Sequence, residues 1–143
     1  MTGISLRSIP AGYANVSGRV LMKYKISFSD NNSFLCIRVN GTVTKGLLEA
    51  FLSETAEKSS ELGINKFLFD LRHAPNRAGL GTHYQYVCNR SRQLGFKPFS
   101  RHALLIQPAD KYTYDFVETV LNNSGYQSKI FEEEESAIKW LEE

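Results

Sequence analysis

Residues 66–79 read KFLFDLRHAPNRAG. The run Phe67-Leu68-Phe69-Asp70-Leu71 is too short for a helix. It is also too continuously apolar for a strand with one wet face. It reads as a central strand buried on both sides, as a parallel sheet with helices above and below requires. The next stretch, RHAPNRAGLG at 72–81, holds Pro75, Gly79 and Gly81 and two arginines, and reads as a loop.

Upstream, residues 45–62 place Leu47, Leu48, Phe51, Leu52, Ala56 and Leu62 at helical spacing, with Ser59 on the same side. Thr42 or Thr44 can cap this helix and Gly63 ends it. Glu54 and Lys58 stand four apart as a favourable pair. Before it, residues 20–29 and 33–39 read as strands, and the turn Asp30-Asn31-Asn32 joins them into a hairpin.

Downstream, a helix is expected from Thr82 to about residue 94, with Tyr84, Val87, Cys88, Ser91 and Leu94 facing inward. Residues 103–107 form the next strand. Asp110 is placed to cap a helix over 111–123, whose inward face is Phe116, Val117, Val120 and Leu121. Residues 126–131 read as a partly polar edge strand. A final helix over 133–142 begins in acidic residues that suit the positive end of its dipole.

The expected order is β-β-α-β-α-β-α-β-α. That is an α/β fold with a mostly parallel five-stranded sheet, an N-terminal β-hairpin and four helices. Residues 1–19 form an arm and residues 20–143 a single domain.

The composition agrees. At 143 residues and 42% hydrophobic, the chain suits one packed core. Its two cysteines, Cys36 and Cys88, offer no paired zinc spacing and read as reduced, buried thiols. No leader segment is visible, and no run approaches the roughly 18 apolar residues of a membrane span. A soluble cytoplasmic protein is expected by elimination. The formal charge of +2 conceals an asymmetry. Residues 71–114 hold seven basic side chains and one acidic, whereas residues 115–143 hold eight acidic and two basic.

Three stretches resemble the SpoIIAA-like group of the STAS superfamily: FLCIRVNGTVTKGLLEAFL at 34–52, KFLFDLRHAPNRAG at 66–79 and GYQSKIFEEEESAIKWLEE at 125–143. The resemblance covers residues 20–143 and implies the STAS fold. In anti-sigma-factor antagonists of that superfamily a serine after the central strand opens the next helix and is phosphorylated by a partner kinase. Here residues 72–81 contain no serine, and the nearest hydroxyl is Thr82. The chain therefore departs from the partner-switching pattern at that position.

Ligands of open α/β sheets bind beyond the carboxyl ends of the strands. The loop after residue 71 occupies that edge. Arg72, His73 and Arg77 there, with the helix opening near Thr82, could hold an anion. Tyr112 could add an aromatic wall. Asp70 and His73 offer an acid–base couple, but no nucleophile accompanies them, so no catalytic residue is assigned. His73, His83 and His102 are not expected to converge on a metal, and no cofactor motif is present. Arg90, Arg92, Lys97 and Arg101 among aromatics read as a solvated basic face or a patch for an acidic partner; the acidic tail argues against nucleic acid. Trp140 either packs the last helix or is shown to a partner.

The functional expectation is a non-enzymatic regulatory or protein-interaction domain presenting the loop 72–81 and the following helix. The alternative is a carrier or sensor of a small molecule or anion, with a pocket at the carboxyl edge of the sheet. A homodimer through the polar last strand is conceivable.

Overall fold

The computed structural model describes residues 23–143 and the backbone of residues 6–8. The arm expected at 1–19 and the start of the strand expected from residue 20 otherwise lie outside the described residues. Lys66–Asp70 is a strand with parallel neighbours on both sides, as its uninterrupted apolar run requires. The six strands are β1 (Leu6–Ser8), β2 (Tyr24–Ser29), β3 (Leu35–Val39), β4 (Lys66–Asp70), β5 (Arg101–Leu105) and β6 (Gln127–Phe131). They lie in the order β1-β2-β3-β4-β5-β6. β1 and β2 run antiparallel to their neighbours, and β3 to β6 are parallel. The five expected strands are present, and β1 adds a sixth at the edge.

Alternation sorts the strand residues onto two unequal faces. Leu35, Ile37, Phe67, Phe69, Leu71, Leu104 and Ile106 belong to the larger core, under three helices. These are α1 (Lys45–Leu62), α2 (residues 80–94) and α3 (Lys111–Asn123). Phe34, Cys36, Leu68, Ala103 and Leu105 face the other way. There, α4 (Glu134–Leu141) covers them with Ala137 and Leu141.

The caps follow their local chemistry. The Thr44 hydroxyl accepts the Leu47 N–H at 3.2 Å. Gly63, at φ 69°, closes α1 by donating to the Ser59 carbonyl. Two expectations for α1 fail. Lys58 reaches Glu61 at 3.3 Å, while Glu54 accepts the Tyr24 hydroxyl at 2.6 Å, and Leu62 is exposed.

α2 departs most from its sequence pattern. It begins at Leu80 with Gly79 in the capping position, so Thr82 lies inside the first turn. Tyr86–Arg90 then forms a π-helical turn between α-helical segments Leu80–Gln85 and Ser91–Leu94. The extra residue in that turn shifts the phase of the helix. His83, Tyr86, Val87 and Ser91 point inward, while Tyr84 is exposed and Cys88 and Leu94 are half-buried. Asp110 does not cap α3 with its side chain. Its carboxylate instead accepts the Asn76 N–H at 3.3 Å and the Gln107 amide at 2.9 Å.

β6 is the expected edge, but its outer backbone groups are taken. Asn122 accepts from the Ser128 N–H at 2.8 Å and donates to the Ser128 carbonyl at 3.2 Å. Glu118 accepts the Ile130 N–H at 2.8 Å. Helix side chains thus occupy the groups a neighbouring strand would need. A dimer built by pairing β6 would first have to displace them. No helix among the described residues is long and apolar enough to cross a membrane.

Replacing Asn122 and Glu118 with alanine should therefore uncover the edge. Each lost bond should cost about 1 kcal/mol, and light scattering should show association that rises with concentration. A variant that stays as monodisperse as the parent would show that these bonds do not protect the edge.

Candidate functional site

The residues expected at the carboxyl edge do not assemble into one site. Arg72 is committed within the protein. Its Nε donates to Asp70 Oδ1 at 2.9 Å, and its Nη2 donates to Asp70 Oδ2 and Glu134 Oε1, both at 3.0 Å. His73, Arg77 and Tyr112 are exposed, Tyr112 at 79%, and Thr82 is half-buried. None of these five lines the core cavity described below. The loop that carries three of them is pinned on two sides. The Arg77 N–H donates to Val43 O at 2.9 Å, the Val43 N–H donates to Pro75 O at 2.8 Å, and the Asn76 N–H reaches Asp110.

Asp70 does not couple to His73. Its buried carboxylate accepts from Arg38 Nη1 at 2.6 Å and from the Arg72 main chain and side chain. Burial pushes this carboxyl up, but the Arg72 hydrogen bonds and charge, with the Arg38 bond, outweigh it and hold it below its ordinary value. Glu134, at the start of α4, accepts from Arg38 through both oxygens at 3.1 Å. Two arginines and two carboxylates thus close a neutral cluster that ties α4 to β3 and β4. This supports the plain reading of Arg72 as the partner of a neighbouring acid. The pairing of Arg38 with Glu134, 96 residues away, is not visible in the sequence.

An apolar concave feature of the fold lies deeper. A cavity of about 70 Å³ sits between the sheet and α1, α2 and α3. Phe51 and Leu52 of α1, Phe69 and Leu104 of the sheet, Val87 of α2 and Val117 of α3 are among its lining residues. His83, His102 and Ser91 supply its polar groups. His83 Nε2 is 2.8 Å from Asn76 Oδ1, and His102 Nε2 is 2.8 Å from the Ser100 hydroxyl. Burial lowers the two histidines to about 4 and about 3, so both are neutral at pH 7. His102 is boxed in by Phe67, Phe69, Phe96 and Tyr126. Among the described residues, no three His, Cys, Asp or Glu side chains gather as a metal would need.

The π-turn forms one wall of the cavity through Tyr86 and Val87. It is anchored to α1 on its outer side. Arg90 donates to both oxygens of Glu49, at 3.0 and 2.6 Å, and the Tyr86 hydroxyl donates to Glu49 at 2.7 Å. Hydrogen bonds from Arg90, Tyr86 and Ser53 lower Glu49 to about 2. Arg90 is therefore an anchor and not part of a free cationic face. The sequence signal available was the polar pair Glu49 and Arg90 on facing helices, which periodicity alone does not connect.

On the smaller face, Arg101 lies over the Trp140 ring at 5.3 Å and donates to the Trp140 carbonyl at 2.7 Å, so Trp140 packs the last helix. Burial pushes the Cys36 thiol up to about 12. Cys36 is buried, as expected, whereas Cys88 is only half-buried.

Two outcomes follow. Between their ordinary value of 6.5 and their folded values of about 4 and about 3, the histidines take up protons in the unfolded chain only. Their contribution is complete above pH 6.5 and is lost as pH falls. At pH 5 the loss should reach about 2 kcal/mol per histidine. Asp70 and Glu49 act with the same sign, but only below the ordinary carboxylate range. Urea midpoints at pH 7 and pH 5 should show this decrease, and His102→Phe should remove about half of it. Separately, Asp70→Ala should cost about 2–3 kcal/mol. That is below the range for a fully buried pair, because both guanidiniums stay a third exposed. Glu134→Ala should cost about 1 kcal/mol.

No family model matches the chain, and no curated protein matches it. Among solved structures it is similar to an uncharacterized protein from the DUF3478 family, with a SpoIIAA-like fold, from Shewanella loihica PV-4. The two are 19% identical at a TM-score of 0.49, over 82% of this chain and 91% of the other.

Proposed function

We propose that the chain is a non-enzymatic sensor or carrier domain that takes a small apolar ligand between the sheet and α2. The cavity carries this reading. Its volume of about 70 Å³ exceeds the ~10–15 Å³ that one water needs on the same measure. It is well below the ~300 Å³ of pockets that enclose drug-sized ligands. A short branched chain fits it; an aromatic ring, which takes a cavity of about 150 Å³, requires α2 to shift. The neutral imidazoles leave the cavity uncharged at pH 7 and favour a ligand without formal charge in its buried part.

The expected regulatory role finds a place in the same reading. His83 lines the cavity and is bonded to Asn76, which lies in the loop presented at the carboxyl edge. A ligand that displaces His83 acts on the loop directly. Around it His73, Arg77, Tyr84 and Tyr112 are exposed and available to a partner. The sequence resemblance to SpoIIAA-like proteins is compatible with such a domain, although phosphorylation of a serine in this loop is not available to it.

Titration with toluene or indole, followed by amide NMR, tests the proposal. Shifts should concentrate at Val87, Leu104 and Val117, extend to Asn76 and Arg77, and saturate. Val87→Phe, which fills the cavity, should abolish them while the fold persists. No saturable shift, or shifts unaffected by Val87→Phe, would overturn it.

A further inference from the structure

At the amino edge of the parallel strands, far along the sheet from the loop 72–79, Phe99 is displayed in an unfavourable backbone conformation. Its φ is 66° and it is 73% exposed. Residues 97–100 form a turn closed by the Ser100 N–H on Lys97 O at 3.3 Å. Pro98 is second and Phe99 third, the arrangement of a type II turn, in which glycine is the usual third residue. A bulky side chain there costs stability and persists only where its surroundings impose it. They do so here. The Phe99 N–H donates to Gly125 O at 2.8 Å, and the Gln127 side chain donates to Phe99 O at 2.8 Å. The turn is held at both polar groups while its ring is left in water. No folding requirement explains this, because the ring buries little.

The surroundings are basic. Lys97, in the same turn two residues before Phe99, is exposed. Arg92 donates to Ser124 O, next to the Gly125 carbonyl that holds the turn. Lys66 pairs in register with Arg101, two residues beyond Phe99. Leu62, 45% exposed, stands at the same edge. The acidic groups there are Glu61, engaged by Lys58, and Glu142 and Glu143, which follow Trp140 on the α4 face shared by Lys66 and Arg101.

We infer that this turn is a docking point for an acidic segment of a partner protein that carries an apolar side chain. The rigid ring would supply the apolar anchor, and Arg92 and Lys97 would supply complementary charge around it. A bilayer is the poorer occupant, since one ring and one leucine give too little apolar area to hold a protein at a membrane. This inference is independent of the core cavity.

The test uses the full chain and the fluorescein-labelled peptide EDEFLDEE, read by polarisation. The peptide should bind saturably and more weakly as salt rises. The control EDESSDEE should bind at least about tenfold more weakly. Phe99→Gly and Phe99→Asn, which both tolerate the turn, should weaken binding by about tenfold. Their melting temperatures should be no lower than the parent's, which separates loss of an anchor from loss of fold. Lys97→Glu should weaken binding in the same way. The inference is overturned if Phe99→Gly binds within roughly twofold of the parent. It is equally overturned if Phe99→Gly melts well below the parent, which would make the ring a packing residue. Phe99-dependent binding to phosphatidylserine vesicles or to single-stranded DNA in place of the peptide would also overturn it.

Discussion

Everything in this fold depends on covering β4 from both sides. A strand of Phe, Leu and Phe with no wet face demands apolar partners above and below. The supply is uneven. One face has three helices and a large core, and the other has the eight residues of α4 and a small one. The uneven cover explains the polar architecture. Where α4 meets the sheet, hydrophobic contact alone is thin, and the Arg38–Asp70–Arg72–Glu134 cluster supplements it. Where the three helices meet, apolar surface is abundant but not perfectly filled, and the cavity is what remains.

Much of this was legible in the sequence. The central strand, the hairpin, the capping of α1 by a threonine at 42 or 44 and the polar edge strand all express local chemistry that short windows contain. What failed did so for identifiable reasons. The inward face of α2 was misread because a π-turn breaks the 3.6-residue period on which such a reading rests, exchanging Tyr84 for Tyr86. Thr82 offers a hydroxyl that could cap, yet threonine and glycine are about equally favoured at that position and Gly79 opens the helix. Glu134 was assigned to a helix dipole, which is local, whereas its partners Arg38 and Arg72 come from β3 and the loop after β4.

The candidate site was less legible than the fold. Arg72 was singled out correctly as a charged residue at the carboxyl edge, but its charge is spent inside the protein. His83 and His102, not expected to converge on a metal, line one cavity, which runs beneath α2 and brings a side chain of that helix near one of β5. No window of sequence reports a void, since a void is a property of how three helices fail to meet.

The π-turn has a further consequence for the length of the chain. It accommodates one residue more than an α-helix of the same rise would hold. Deleting Asn89 would therefore leave His83 and Ser91 about two turns of a regular α-helix apart, both still facing the cavity, with the π-turn closed into ordinary helix. Among homologues, the π-turn should be present where the longer spacing between His83 and Ser91 is kept and absent where it is one residue shorter.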